Sequence, residues 1–142
     1  IVVVNFRLKF ISGEKMAINQ ALEAYKQNEN DYVKGINSPH GRINILFDTI
    51  ISNLENLMDN HPKTDFISLG KCINGISILA NSLNMEQGGE MAENLVELYE
   101  YCRKNINNYI REKDIGKLEE THAIFSKLSE GWKGIDPDKR NI

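Results

Sequence analysis

SPHGRINILFDTIISNLENLMDN, residues 38–60, decides the fold class. Ser38 is a good side-chain N-cap, and Pro39 stands at the first helical position, where a missing N–H costs nothing. Ile43, Leu46, Phe47, Ile50, Leu54, Leu57 and Met58 then recur at steps of three and four, the period of one helix face. Ile45 and Ile51 widen that stripe beyond what one neighbouring helix needs, which predicts a central place in a bundle or an additional groove. Asn60-His61-Pro62 reads as the turn that follows.

Downstream, Phe66, Leu69, Cys72 or Ile73, Ile76, Leu79 and Leu83 are in helical register, so another long helix runs to about Leu83. Gly70 and Gly75 lie inside it, each costing ~1 kcal/mol relative to alanine. Such glycines signal either close helix packing or a smooth surface where another backbone can approach. Asn84–Gly89 reads as a connecting turn. Met91, Leu95, Leu98, Cys102, Ile106, Tyr109 and Ile110 then form a nearly heptad seam that ends near Lys113, with Arg111 and Lys113 on the C-terminal dipole. Asp114 can cap a last helix with Ile115, Leu118, His122, Phe125, Leu128 and Trp132 on its buried face, closed by Gly131, Gly134 and Pro137. Upstream, Ile18, Leu22 and Tyr25 share one face of a short helix over Ala17–Asn28, and residues 29–37 read as a linker. The connections are short, so neighbours are antiparallel. The sequence therefore predicts an all-α antiparallel four-helix bundle with an additional short N-terminal helix. It occupies one domain, residues 16–135, followed by a polar tail at 136–142.

Residues 1–15, IVVVNFRLKFISGEK, do not share this pattern: Val3, Phe6, Leu8 and Phe10 give a strand-like alternation with Arg7 and Lys9. The apolar core is too short for a secretory signal, and no small-residue cleavage site follows. Met16-Ala17 opens the helical pattern, and Gly13-Glu14 can be encoded by a purine run resembling a ribosome-binding site. The expectation is that translation starts at Met16 and residues 1–15 are not part of the native protein. A tryptic peptide from native cells spanning residues 10–15 would sink it. The rival reading is an N-terminal arm that pairs with something, such as a second copy, and a homodimer stays open.

The chain of 142 residues has a formal net charge of −3. Residues 1–15 hold Arg7, Lys9, Lys15 and Glu14, which leaves 14 basic and 19 acidic residues and a net of −5 for the rest. A mildly acidic domain is a poor generic partner for nucleic acid or an anionic membrane. Arg103, Lys104 and Arg111, with Tyr99 and Tyr109 nearby, make a small basic strip whose bland reading is a mixed, solvated helix face. No apolar run reaches the ~18 residues of a membrane span, so direct membrane insertion is not expected. Cys72 and Cys102 are isolated in apolar helical patterns and read as buried reduced thiols, which suits the cytosol.

No chemistry converges. His40, His61 and His122 fall on a helix start, a turn and a helix face without i, i+4 pairing, so neither a metal nor another cofactor is expected. Pairs such as Glu119-Glu120 read as solvation, and no nucleophile signature occurs. Gly88-Gly89 ahead of a helix could receive an anion, but Glu86 and Glu90 oppose that. The chain is not read as an enzyme.

One segment carries a family signature. Leu83-Asn-Met-Glu-Gln-Gly-Gly-Glu-Met-Ala-Glu-Asn-Leu-Val-Glu-Leu-Tyr-Glu-Tyr101 closely resembles the pattern of the flagellar secretion chaperone FliS family. Ser38-Pro39-His40 with Ile43, Leu46, Phe47 and Asp48, Ala24-Tyr25-Lys26-Gln27, and Trp132-Lys133 resemble further family segments in the right order. Thr49, where glycine is usual, and Arg42, where an apolar residue is common, depart from the pattern. Residues 1–15 have no counterpart. The resemblance implies a cytosolic export chaperone. It would bind the disordered C-terminal segment of flagellin, block premature polymerisation and hand the subunit to the type III export gate. It also implies that Leu22 and Tyr25 dock at the export-gate protein or cap the groove.

The residues are compatible with helix-in-groove recognition of a wrapped segment. The residues chosen for the flagellin groove are Ile45, Leu46, Ile50, Ile76, Leu83, Met91, Leu95 and Leu98. The rival reading makes all of them core, and periodicity does not separate the two. The alternative function is a non-enzymatic helical adaptor or regulatory module for another flagellar or export protein.

Overall fold

Proline at a helix start fixes φ without breaking a hydrogen bond, and the first described helix, α1, spans Pro39–Asn60. The computed structural model describes residues 39–134. The expected Ser38 cap, the short helix with Leu22 and Tyr25, the N-terminal extension and the polar tail lie outside the described residues. Ile43, Phe47, Ile50, Leu54 and Leu57 are buried along α1 at steps of four and three. Leu46, Ile51 and Met58 pack partly buried against this core. Ile45 does not widen the buried stripe: its side chain is 51% exposed. It stands two residues, roughly 200° of helix rotation, from Ile43 and so points away from the core.

The turn after α1 leads to α2, Phe66–Asn81. Asp65 caps it, one carboxylate oxygen accepting from the Ser68 N–H at 3.1 Å and the other from the Ser68 hydroxyl at 2.9 Å. Leu69, Cys72, Ile76 and Leu79 are buried as their spacing predicts. Phe66 is not: it is exposed on the first residue of α2, off the stripe. Leu83 lies past the end of α2 and is partly buried.

The third helix, α3, spans Met85–Glu112, so it begins inside the segment read as a turn. Asn84 is responsible, because its side chain caps the Gln87 N–H at 2.9 Å. Gly89, at φ 51 and ψ −130, then breaks the helical path. An L side chain is strained in that conformation, so glycine is required there. The seam from Met91 to Tyr109 is buried, joined by Ala92 and Tyr99. Lys113 ends α3 in the left-handed region, its N–H bonded to the Tyr109 carbonyl. Asp114 caps α4, Ile115–Lys133, by accepting from the Gly116 N–H. Leu118, Ile124, Phe125, Leu128 and Trp132 are buried on α4.

The described residues hold four helices and no strand. The main helix contacts form a ring, α1 against α2 and α4, and α3 against α2 and α4, around one shared core. The connections are short, so successive helices run antiparallel. Gly75 permits a close approach of α1 and α2: a Cβ there would lie 2.8 Å from Ile50 Cγ1. The close-packing reading of that glycine therefore holds. Gly70 is different, because a Cβ added there meets nothing within 4 Å among the described residues.

Candidate functional site

A bundle of this kind hides one stripe of each helix, so the informative apolar residues are those left outside. Ile45, Phe66, Ile67, Ile78 and Met85 are the large hydrophobic residues exposed among the described ones. They fall at two ends. The contact of Gly75 with Ile50, and the Cys72 thiol 3.8 Å from the Ile50 carbonyl, fix the register of α1 on α2 near their middles. Ile45 lies five residues before Ile50 on α1, and Ile78 three residues after Gly75 on α2. Antiparallel packing therefore carries both toward the same end of the bundle. The start of α3 lies there too, bringing Met85, with partly buried Ala80 and Leu83 just before it. Leu46 adds a partly exposed side chain from α1.

The residues chosen for the groove thus separate into two layers. Ile45, Leu46 and Leu83 reach the surface, and Met91, 8% exposed, lies just beneath it. Ile50, Ile76, Leu95 and Leu98 are sealed in the core. A bound chain touches these four only if helices part, and otherwise they serve as the floor on which the surface residues rest. Leu22 and Tyr25 lie outside the described residues. Ile78 and Met85 were missed by sequence reasoning. Ile78 sits in an apolar run whose other members fill the buried stripe, and Met85 sits in a segment read as a turn; an apolar residue out of register with its own helix was the available signal. Arg42 is exposed and Thr49 half-buried on α1, so both departures from the family pattern lie at or near the surface.

Polar contacts hold this end together. The His40 Nε2–H donates to the Trp132 carbonyl at 2.9 Å, and the Trp132 Nε1–H donates to the His40 carbonyl at 2.9 Å. The two rings stack with centroids 5.2 Å apart. Lys133 Nζ, beside Trp132, meets Asp48 at 2.8 Å. The first turn of α1 is thereby latched to the last turn of α4. At the opposite end, His61 Nδ1 and the Tyr109 hydroxyl share a 2.9 Å hydrogen bond, and burial raises the Tyr109 phenol above its ordinary pKa. His122 lies 3.0 Å from Glu55, tying α4 to α1.

The three histidines thus make separate structural contacts, and among the described residues no group of three or more metal-binding side chains converges. Burial pushes the Cys72 thiol up to about 12, which keeps it protonated and unreactive as a nucleophile. Cys102 is likewise buried. The basic strip carries no exposed aromatic stacking platform among the described residues: Tyr99 and Tyr109 are buried, and Arg103 pairs with Glu100 at 3.0 Å. Among the described residues, no helix is long and apolar enough to cross a membrane. What the surface offers chemically is exposed apolar area.

The chain is similar to known flagellar proteins. The family described as Flagellar protein FliS matches residues 18–139. The flagellar secretion chaperone FliS of Salmonella typhimurium is 31% identical over 121 residues, covering 82% of this chain and 90% of that protein. The flagellar secretion chaperone FliS of Vibrio cholerae is 26% identical over 126 residues, 86% of this chain and 93% of the relative. The flagellar secretion chaperone FliSB of Pseudomonas aeruginosa is 28% identical over 120 residues, 82% and 95% of the two chains.

Proposed function

The chain belongs to the FliS family of flagellar proteins, and from that premise we propose that it is a cytosolic export chaperone for flagellin. It binds the disordered C-terminal segment of flagellin, keeps the subunit from polymerising prematurely and hands it to the gate of the flagellar type III export apparatus. The role is one of binding, without catalysis.

The observation that carries this reading is the apolar surface where the start of α1 and the end of α2 meet the start of α3. Ile45, Ile78 and Met85 are exposed there beside partly buried Leu46 and Leu83, above the buried core residues described. Side chains of this kind, spaced along helices, suit a segment that folds as it docks with its apolar face down. Ordering a disordered client costs ~2–5 kcal/mol, so a broad surface is needed to offset it. In this reading Ile45, Leu46, Leu83 and the shallow Met91 touch flagellin, while Ile50, Ile76, Leu95 and Leu98 hold the surface in shape. Leu22 and Tyr25 are assigned to the export-gate protein or to capping the groove.

Calorimetric titration with a synthetic peptide of the host flagellin's last ~40 residues, a span long enough to wrap a bundle, tests the reading. Heat release together with a gain in helicity is expected. Absence of both would overturn it.

A further inference from the structure

The carbonyl oxygens that close a helix have no partner within it, and the N–H groups that open one are equally unmatched, so helix ends depend on contacts from outside. Trp132 stands in the last turn of α4 and His40 in the first turn of α1. The His40 Nε2–H donates to the Trp132 carbonyl at 2.9 Å, so a side chain of α1 caps the end of α4. In return the Trp132 Nε1–H donates to the His40 carbonyl at 2.9 Å. The Trp132 carbonyl only accepts, so Nε2 carries the ring proton, and Nδ1 is left to accept from the Asn44 Nδ2–H at 3.3 Å. Two flat rings lie over this exchange, 14° from parallel.

One flank of α1 makes all of these contacts. At roughly 100° of rotation per residue, His40, Asn44, Phe47 and Asp48 fall within about 100° of one another. Phe47 meets the Trp132 ring edge-on with centroids 6.2 Å apart, and Asp48 takes the Lys133 Nζ at 2.8 Å. Leu46 lies roughly 100° and Ile45 roughly 200° from Phe47, on the side turned away from α4. Ile50, which packs on Gly75 of α2, lies on that other side too. The latch therefore brackets Ile45 and Leu46 along the chain and touches neither.

Ile43 and Phe47 also hold the opening turns of α1, through burial. Apolar burial has no preferred direction, whereas hydrogen bonds weaken steeply when they are bent. The paired bonds and the ring stack are thus what fix the rotation of these turns about the helix axis. That rotation decides how Ile45 and Leu46 stand beside Ile78 and Met85.

We propose that His40 and Trp132 are positioning residues for client binding: they hold the opening turns of α1 so that Ile45 and Leu46 are presented to the client, without touching it themselves. The client's identity rests on the flagellin reading, but the hold on α1 is a property of the free chain. The opposite end of the bundle supplies a control. There the His61 ring and the Tyr109 hydroxyl bond at 2.9 Å, just past Asn60, where α1 ends. Asn60 is roughly 22 Å along α1 from Ile45.

The test uses the full chain, with hydrogen exchange read by mass spectrometry on the free protein and calorimetric titration with the flagellin peptide. Both are run at a temperature where circular dichroism shows every variant folded. His40→Ala is expected to speed amide exchange over residues 41–48 by about tenfold while sparing residues 50–57. It should also weaken the peptide about fivefold. His40→Gln, whose amide still donates to the Trp132 carbonyl, should recover most of both. Trp132→Phe keeps a ring without the N–H and should show the same changes to a lesser degree. His40→Ala and Ile45→Ser together should weaken the peptide by less than the product of their separate factors, since they act through one surface. His61→Ala should lower the melting temperature and leave both exchange over 41–48 and peptide affinity unchanged. Unaltered exchange over 41–48 in His40→Ala would overturn the proposal. So would fully multiplicative losses with Ile45→Ser, or a loss of affinity in His61→Ala as large as in His40→Ala. A wild-type chain that binds no flagellin peptide refutes the client reading, whereas wild-type and His40→Ala chains that bind it equally well refute the positioning role alone.

Discussion

The two interior glycines of α2 permit one chemical change with opposite outcomes. Gly70→Ala and Gly75→Ala each remove a helix-interior glycine, a gain of about 0.8–1 kcal/mol in helix propensity. At Gly70 nothing described lies within 4 Å of the new methyl, so that gain stands unopposed. At Gly75 the methyl would sit 2.8 Å from Ile50 Cγ1 and 3.2 Å from its Cδ1. Ile50 is fully buried, and Cγ1 lies near the root of its side chain, so relief requires α1 and α2 to separate or Ile50 to leave its rotamer. Overpacking of this kind costs ~1–3 kcal/mol. Gly70→Ala should therefore stabilise by about 1 kcal/mol, whereas Gly75→Ala should fall between neutral and about 2 kcal/mol destabilised. Urea titration and thermal melting followed by circular dichroism measure both, and for a domain of this size 1 kcal/mol moves the midpoint by about 4 °C. Ile50→Ala completes a cycle: its cavity should be partly filled by the methyl that Gly75→Ala introduces, so the double variant should be more stable than the sum of the single changes. The reasoning is refuted if Gly75→Ala stabilises as much as Gly70→Ala.

Ile45→Ser should leave the melting temperature nearly unchanged and weaken the flagellin peptide. Leu98→Ala, in the core, should cost about 2–5 kcal/mol of stability, and parallel melts and titrations would expose any reversal. Asp65 is held below its ordinary pKa of 3.8, first by the Ser68 N–H and then by the Ser68 hydroxyl. Its charged cap therefore contributes in full above that ordinary value, and the contribution is lost as pH falls through the lowered folded-state value. Asp65→Asn keeps a capping oxygen but not the charge, so its stability deficit, read from urea midpoints, should shrink with acidification from neutral pH. Cys72, with its pKa raised to about 12 and its side chain buried, should resist aromatic disulfide reagents at pH ~8 until denaturant opens the fold. Rapid labelling of the native protein would contradict this packing.

Much of the architecture is local and was therefore legible. Helix period and capping chemistry act within a few residues, so the heptad-like spacing of Met91 to Tyr109 and the Asp114 cap predict α3 and α4. The start of α3 was misplaced because Gly88-Gly89 outweighed Asn84, although the Asn84 cap forms and only Gly89 leaves the helical path. The candidate surface was less legible. Ile45 and Ile50 are equally apolar and lie on the same helix, yet one is half exposed and the other fully buried. Rotation about the helix axis separates them, and that rotation has meaning only relative to a neighbour.

By itself the sequence determined the all-helical class, the long apolar stripes, the caps and the family signature, because each depends on residues close in the chain. Only the tertiary structure decided which apolar residues are core and which remain outside, because burial is set by helices that arrive from elsewhere. It also brought together His40 and Trp132, 92 residues apart, as one latch with two hydrogen bonds and a ring stack. Likewise it distinguished two glycines five residues apart, since Ile50 of α1 packs on one and no described residue packs on the other.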